Sequence, residues 1–341
     1  MRLLTLGGTE FAGRAVVEAA LGRGWDVTVF HRGRHEPPPG ARSLHGDRTA
    51  PDGLAALAGD PGEWDVVVDT WSAAPRAVRD AARLLRGRAR RYVYVSSCSV
   101  YAWAPPAGYT EDAAVVEGAS PDAGPAGYAR DKRGGELAAV DAFGAERSVL
   151  ARAGLIIGPY ENVGRLPWWL TRMARGGPVL APGPRDLPLQ YVDVRDLAEW
   201  LLGAAEQELS GPYNLMSPRG HTTMGELLHA CARVTGGAAR LRWTAPEVIL
   251  EAGIEPWTQL PVWVPPGSDL HDALHGADVS RAVAAGLRCR PVEETVADTW
   301  RWLREIGGTA PQRPDRTLKG LDPDVEARVL AAAGGVSGTT P

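Results

Sequence analysis

Lysine is almost missing from this chain: of its 37 basic Lys and Arg residues only Lys132 and Lys319 are lysine. Cysteine is scarce too. Cys98, Cys231 and Cys289 are widely spaced and odd in number, which argues against a disulfide framework and fits reduced thiols in a cytoplasmic protein. No block of basic residues occurs and the net charge is -4, which argues against nucleic acid as a main partner. No stretch approaches the roughly 18 consecutive apolar residues of a membrane span. The apolar start, Leu3 to Leu6, runs into Gly7-Gly8 and is too short for a signal peptide. What remains is 341 residues at 44% hydrophobic, enough for a large core and two connected lobes.

One of the two lysines stands in Tyr128-Ala129-Arg130-Asp131-Lys132. By composition a Tyr-x-x-x-Lys is expected about 0.05 times by chance. Residues i and i+4 share a helix face, so phenol and ammonium can meet. A nearby cation favours phenolate and lowers a pKa that starts near 10. Lysine does this as a compact charge, and the fork of arginine is no equivalent. Two surface residues on a helix are the plainer alternative.

Residues 2–6 read as a short buried strand, followed by Gly7-Gly8-Thr9-Glu10-Phe11-Ala12-Gly13 and a helical run from Arg14 to Arg23. A second strand spans Asp26 to Phe30. Strand, glycine turn, helix and strand within about 30 residues form the context of a dinucleotide fingerprint. Glycines let the backbone approach a pyrophosphate, which the helix N-terminus attracts. Gly7 and Gly13 fit the outer positions of G-x-x-G-x-x-G, and Glu10 takes the middle one. After the second strand, where an acid usually accepts ribose hydroxyls, the chain has Phe30-His31-Arg32-Gly33-Arg34. Arg32 and Arg34 suit a 2′-phosphate, so NADP is the expected cofactor and NAD the alternative.

A third strand is expected over Ala41 to His45, ending at Gly46-Asp47-Arg48, and an unbroken apolar one over Asp65 to Asp69. A helix follows from about Ala73 to Leu85. Then Tyr92 to Val95 leads into Ser96-Ser97-Cys98-Ser99-Val100-Tyr101. This alternation implies an α/β fold, a Rossmann-type doubly wound parallel sheet with ligands at the carboxyl ends of its strands. Alone, Ser97 reads as a hydroxyl capping a strand end.

These motifs, with Arg152-Ala153-Gly154-Leu155-Ile156-Ile157-Gly158-Pro159, stand in an order that resembles the extended short-chain dehydrogenases/reductases, the branch labelled NAD-dependent epimerase/dehydratase. The resemblance covers roughly residues 1–305. It implies a Rossmann lobe with a smaller mixed α/β substrate lobe. It also implies a catalytic set of Ser97, Tyr128 and Lys132, with Asp47 at the adenine. Tyr128 would be the general acid/base, Ser97 would hold the substrate oxygen, and Lys132 would lower the phenol pKa and bind the nicotinamide ribose. The expected cofactor contacts are Gly7, Thr9, Glu10, Phe11, Gly13, His31, Arg32, Arg34, Asp47 and Lys132.

Some positions depart from the family pattern. Its dehydratases carry Asp-Glu after the catalytic Thr, whereas this chain has Cys98-Ser99, which argues against dehydration. An Arg that binds a substrate diphosphate in several epimerases is missing from Leu187 to Asp193, although Arg185 lies just upstream.

The expected division is 1–157 with 188–215 for the Rossmann lobe, 158–187 with 216–306 for the substrate lobe, and 307–341 as a tail. Trp168, Trp169, Trp243, Trp257 and Trp263 wall a pocket or pack a core. His271 and His275 share a helix face, but with no third ligand evident no metal site is expected. The first expectation for function is an NADP-dependent oxidoreductase, reducing a ketone or oxidising an alcohol on a small polar or ring-containing molecule. The alternative is an epimerase of a sugar or sugar-nucleotide working by transient oxidation. A non-catalytic nucleotide sensor or RNA-binding protein on the same fold is the rival from another class, and the joint presence of Ser97, Tyr128 and Lys132 speaks against it. The expected partner is a small molecule, and a homodimer is the candidate assembly.

Overall fold

A computed structural model describes residues 1–122, 124–317 and 320–335. The first half of the chain lays down β1 (Arg2–Leu6), α1 (Phe11–Gly22), β2 (Asp26–His31), β3 (Arg42–His45), α2 (Ala55–Gly59), β4 (Trp64–Asp69) and α3 (Arg76–Leu85). Next come β5 (Ala89–Ser97), α4 (Tyr128–Phe143) and β6 (Ser148–Ala153). The chain then enters a second compact unit with α5 (Leu166–Ala174) and β7 (Gly177–Pro182), and returns to the first with α6 (Val194–Glu206) and β8 (Gly211–Leu215). It leaves again for α7 (Met224–Val234), β9 (Ala239–Thr244), α8 (Pro246–Glu251) and α9 (Asp269–His275). It comes back once more as α10 (Ser280–Ala284) and finishes in the second unit with α11 (Val292–Glu305) and α12 (Pro323–Gly335).

In the first unit seven parallel strands lie in the order β8-β6-β5-β4-β1-β2-β3. The order reverses between β1 and β4, the switch point at which such sheets open a ligand crevice. Strands buried on both faces should be apolar throughout. Val66, Val67 and Val68 of β4 are accordingly all fully buried. Helix α1 packs on α6, and α3 on α4.

At the carboxyl end of β4 a charged cluster is sealed into this core. Arg48 grips Asp69 through two nitrogens, Nη2 to Oδ1 at 2.7 Å and Nη1 to Oδ2 at 2.8 Å. The Tyr92 hydroxyl donates to Asp69 Oδ2 at 2.6 Å and the Trp71 N–H to Oδ1 at 2.9 Å. Although burial opposes it, the Arg48 guanidinium and these donors hold the Asp69 carboxyl below its ordinary range. Removing one partner of a buried pair strands the other charge, which typically costs ~3–5 kcal/mol. Asp69→Ala should therefore lose about that much stability in urea unfolding, and a loss under about 1 kcal/mol would show that Arg48 has found another partner.

The second unit pairs β7 with β9 in parallel and packs α5, α7 and α11 together. Residues 188–193, expected in the Rossmann lobe, belong to the second unit, and two larger segments also depart from the expected division. Residues 277–289 belong to the first unit, because the Trp200 indole donates to Ala282 O at 3.2 Å and the Asn214 amide to Asp278 O at 3.0 Å. The presumed tail belongs to the second unit up to residue 335. Its helix α12 carries Glu326, buried against Arg172 at 2.7 Å and accepting the Leu180 N–H at 3.0 Å.

Candidate active site

The glycine turn is built as its sequence requires at both ends. Gly7 has φ +91°, a backbone that L side chains avoid, and a Cβ on Gly13 would lie 1.9 Å from the Gly7 carbonyl oxygen. The middle position needs no glycine. Glu10 is extended at φ -133°, and its carboxylate leaves the helix uncapped and turns to His35 at 3.1 Å. Thr9 and Phe11 flank it, Phe11 opening α1 at φ +35°. The turn presents the N-terminus of α1 beside a cradle that only glycine can line, and this geometry fits a dinucleotide pyrophosphate.

Thr70 links this turn to the catalytic helix. Its hydroxyl lies 3.1 Å from both the Leu6 and Gly7 carbonyls. The next residue, Trp71, gives its carbonyl to Lys132 Nζ at 2.5 Å. Lys132 also donates to Val95 O at 2.6 Å and lies 4.9 Å from the centroid of the Tyr94 ring. Lys132 is 3% exposed, so its ammonium is held by backbone and ring, away from bulk water.

Tyr128 is the first residue of α4 and is 38% exposed, so its phenol is within reach of a substrate. The Tyr94 phenol is pushed far up by burial first and by Asp69 and Tyr128 next. Helix α4 lies very close to β5, since a Cβ on Gly135 would come within 2.4 Å of the Tyr94 hydroxyl. Ser97 ends β5, two residues beyond the carbonyl that Lys132 holds. Its Oγ accepts the Ser99 N–H at 3.1 Å and lies 3.2 Å from Ser99 Oγ. The hydroxyl is thus both a cap and a fixed donor. Lys132 thus ties the first two turns of α4, which begin at Tyr128, to the end of β5 two residues before Ser97.

The far end of the cofactor site lies where β2 and β3 finish. Arg32 and Arg34 are exposed there, and the first carboxylate after β2 is Glu36, five residues on. The Asp47 carboxyl is held below its ordinary range, first by the Thr49 hydroxyl at 2.7 Å and the Thr49 N–H at 2.9 Å, with Arg32 and Arg34 adding a little. His31 sits deeper. Its Nδ1 accepts the Gly33 N–H at 3.2 Å, its Nε2 meets Ser43 Oγ at 3.1 Å, and burial, then His45, lowers its pKa. Both ring nitrogens therefore have partners within the protein.

Other expectations resolve in the second unit. Trp169 and Trp263 are fully buried with their indole N–H groups on Pro261 O and Gly183 O, so they are core and not pocket wall. Arg185 donates to His229 at 2.8 Å in a cavity of about 320 Å³ shared with Thr223, Glu226 and Arg233. Among the described residues no group of three or more metal-ligating side chains occurs, and no helix is long and apolar enough to cross a membrane.

His271 and His275 are both buried with their Nε2 atoms unsatisfied. Burial, then the neighbouring His271, pushes the His275 pKa down to about 4. Between that value and the ordinary 6.5 the unfolded chain binds the proton that the folded chain refuses, so stability falls as pH drops from 6.5 towards 4. Urea unfolding should show a loss of about 3 kcal/mol across this window that is absent in His275→Gln, and parallel profiles would count against it.

The fold and this constellation define a short-chain dehydrogenase/reductase of the extended type, an enzyme on a Rossmann sheet. The family model described as NAD dependent epimerase/dehydratase matches residues 3–215, and the chain belongs to that family. No curated protein matches the sequence. Among solved structures it is similar to the Bordetella bronchiseptica enzyme WbmH in complex with NAD+, at 18% identity over 90% of this chain and 99% of that one, with a TM-score of 0.65. It is also similar to UDP-glucuronic acid 4-epimerase from Bacillus cereus in complex with NAD, at 15% identity over 90% and 99%, TM-score 0.63. UDP-glucose 4-epimerase with UDP-glucose from Thermotoga maritima is similar at 18% identity over 90% and 99%, TM-score 0.62. At these identities the likeness is one of fold. The sequence missed Glu136, which lies one helical turn past Lys132 and is fully buried against Ser96 and Arg152; the continued i, i+4, i+8 spacing was its signal.

Proposed function

We propose that this enzyme is an epimerase of a sugar or sugar-nucleotide that works through transient oxidation of a secondary alcohol. The observation that carries the reading is Lys132, one turn along α4 from Tyr128, held on the Val95 carbonyl two residues before Ser97 and on the Trp71 carbonyl, which Thr70 links to the glycine turn. A nicotinamide dinucleotide, when bound, supplies the hydride acceptor. Tyr128 takes the hydroxyl proton as the alcohol becomes a ketone and gives it back on reduction. Ser97 directs its O–H at the same oxygen and stabilises the charge that develops there. Lys132 supplies a compact positive charge one turn along α4 from Tyr128. Glycine and helix N-terminus receive the pyrophosphate, and Asp47 the adenine.

The family and the UDP-sugar epimerases of the same fold support this reading over an NADP-dependent ketone reductase. Dehydration is disfavoured by Cys98 and Ser99. The Cys98 thiol is pushed up to about 12 by burial and donates to Arg152 O at 3.1 Å, so no base for elimination stands there. Incubating the protein with its dinucleotide and a panel of hexoses and UDP-hexoses separates the two. Epimer formation by NMR without net change at 340 nm supports the epimerase, and stoichiometric consumption of reduced cofactor overturns it.

One observation keeps the reductase as a second reading: Arg32 and Arg34 follow β2, and no acid precedes Glu36 there. If these residues grip a 2′-phosphate, the double variant Arg32→Ala/Arg34→Ala should weaken NADP(H) with little effect on NAD(H). A hydrogen bond to a charged partner contributes ~1.5–3 kcal/mol, a loss on the order of ten- to a hundred-fold in affinity. Calorimetry on wild type and variant decides. Equal weakening of both dinucleotides, or a wild-type preference for NAD(H), removes the phosphate site and leaves the epimerase alone.

A further inference from the structure

We infer that Glu136 is a positioning residue for the Ser97–Tyr128–Lys132 site, acting with Ser96 and Arg152 as a buried tie that sets the register of α4 on β5. The inference rests on the reading of Tyr128 as acid/base. Tyr128, Lys132 and Glu136 follow one another at i, i+4 and i+8, so one helix face carries all three. Glu136 is fully buried and its oxygens accept four hydrogen bonds. Oε1 takes Ser96 Oγ at 2.7 Å and Arg152 Nε at 2.9 Å. Oε2 takes Arg133 Nη1 at 2.7 Å and Arg152 Nη2 at 3.1 Å.

The tie is placed where register matters. Ser96 directly precedes Ser97, and the Val95 carbonyl held by Lys132 directly precedes Ser96. Two successive residues of β5 are therefore gripped by two side chains one turn apart on α4. Arg152 is the sheet partner of Ser96, and its remaining nitrogen donates to the Tyr101 hydroxyl and the Glu111 carbonyl, each at 3.1 Å. Tyr101 donates in turn to Asn214 Oδ1 at 2.6 Å. The same arginine thus pins the strand before Ser97 and the segment after it. Buried ion pairs add little net stability over apolar packing of the same volume, so fold stability alone does not account for one here. What this one supplies is a single allowed alignment, in which a helix shifted along β5 loses the three bonds to Ser96 and Arg152 and keeps only the one to Arg133 of its own helix.

The test uses the dinucleotide-loaded protein and the variants Ser96→Ala, Ser96→Thr and Glu136→Gln. The Tyr128 phenol is titrated at 295 nm as the difference between each variant and the same variant carrying Tyr128→Phe. Melting temperature, dinucleotide Kd and, with a substrate in hand, kcat and KM are measured alongside. Ser96→Ala should raise the phenol midpoint and cut kcat on the order of ten-fold, with KM, Kd and melting temperature nearly unchanged. Ser96→Thr, which keeps the hydroxyl, should restore both, and Glu136→Gln should shift the midpoint further. If Glu136→Gln does not fold, Ser96→Ala alone decides. Wild-type titration in Ser96→Ala, or a kcat that falls only with the folded fraction, overturns the inference. Retained turnover in Tyr128→Phe would instead sink the acid/base reading, and the titration needs no substrate, so the two failures are distinct.

Discussion

Tyr128→Phe should fold, bind its dinucleotide like wild type and lose turnover by about 10²–10⁴-fold, the usual cost of removing a general acid/base. The substitution deletes one oxygen from a side chain that is already 38% exposed at the start of α4, so no cavity forms. The buried packing of α4 on β5, with Gly135 against Tyr94, lies two turns away. A kcat within a few-fold of wild type, with the fold verified by circular dichroism, would remove Tyr128 from the chemistry.

Lys132→Arg should also fail, although charge is retained, with a loss on the order of a hundred-fold in kcat/KM. The ammonium sits between the carbonyls of Trp71 and Val95, at 2.5 and 2.6 Å, below the Tyr94 ring. A planar guanidinium is wider than this slot and must displace one carbonyl or withdraw from both. Trp71 follows Thr70, which secures the glycine turn, so the disturbance reaches the dinucleotide site as well. Lys132→Met gives the complementary measurement. It fits the slot but takes the ammonium from the Val95 carbonyl and leaves the Trp71 carbonyl with the Tyr94 hydroxyl at 3.1 Å as its side-chain donor, so melting temperature should fall along with activity. Full activity in Lys132→Arg would mean that neither the slot nor the compact charge matters.

The features legible in the sequence were the local ones. The apolar strands, the outer glycines and the Tyr128–Lys132 spacing each repeat with the period of one element, and all appear in the structure where that period places them. The missing middle glycine looked like a weakness and is not one, because Glu10 has an extended backbone that any residue adopts. What escaped notice was non-local. Lys132 is held by two carbonyls, which no side chain announces, and Glu136 meets Arg152 only because β6 lies beside β5. Arg48, expected only as the end of the third-strand segment, is paired inside the core with Asp69. The segment from 307 on was expected as a tail because its anchor is one glutamate, Glu326, whose partner Arg172 lies far back in the chain.

The path of the chain has a consequence for how such a protein can change over generations. It passes between its two compact units five times, after residues 156, 193, 217, 276 and 289. No single breakpoint in the gene separates the piece that carries the Tyr128 chemistry from the rest. Recombination therefore cannot trade one unit for that of a distant relative, as it can with modules strung end to end. New specificity has to be acquired by point changes and short insertions within the segments of the second unit, while the first is inherited alongside.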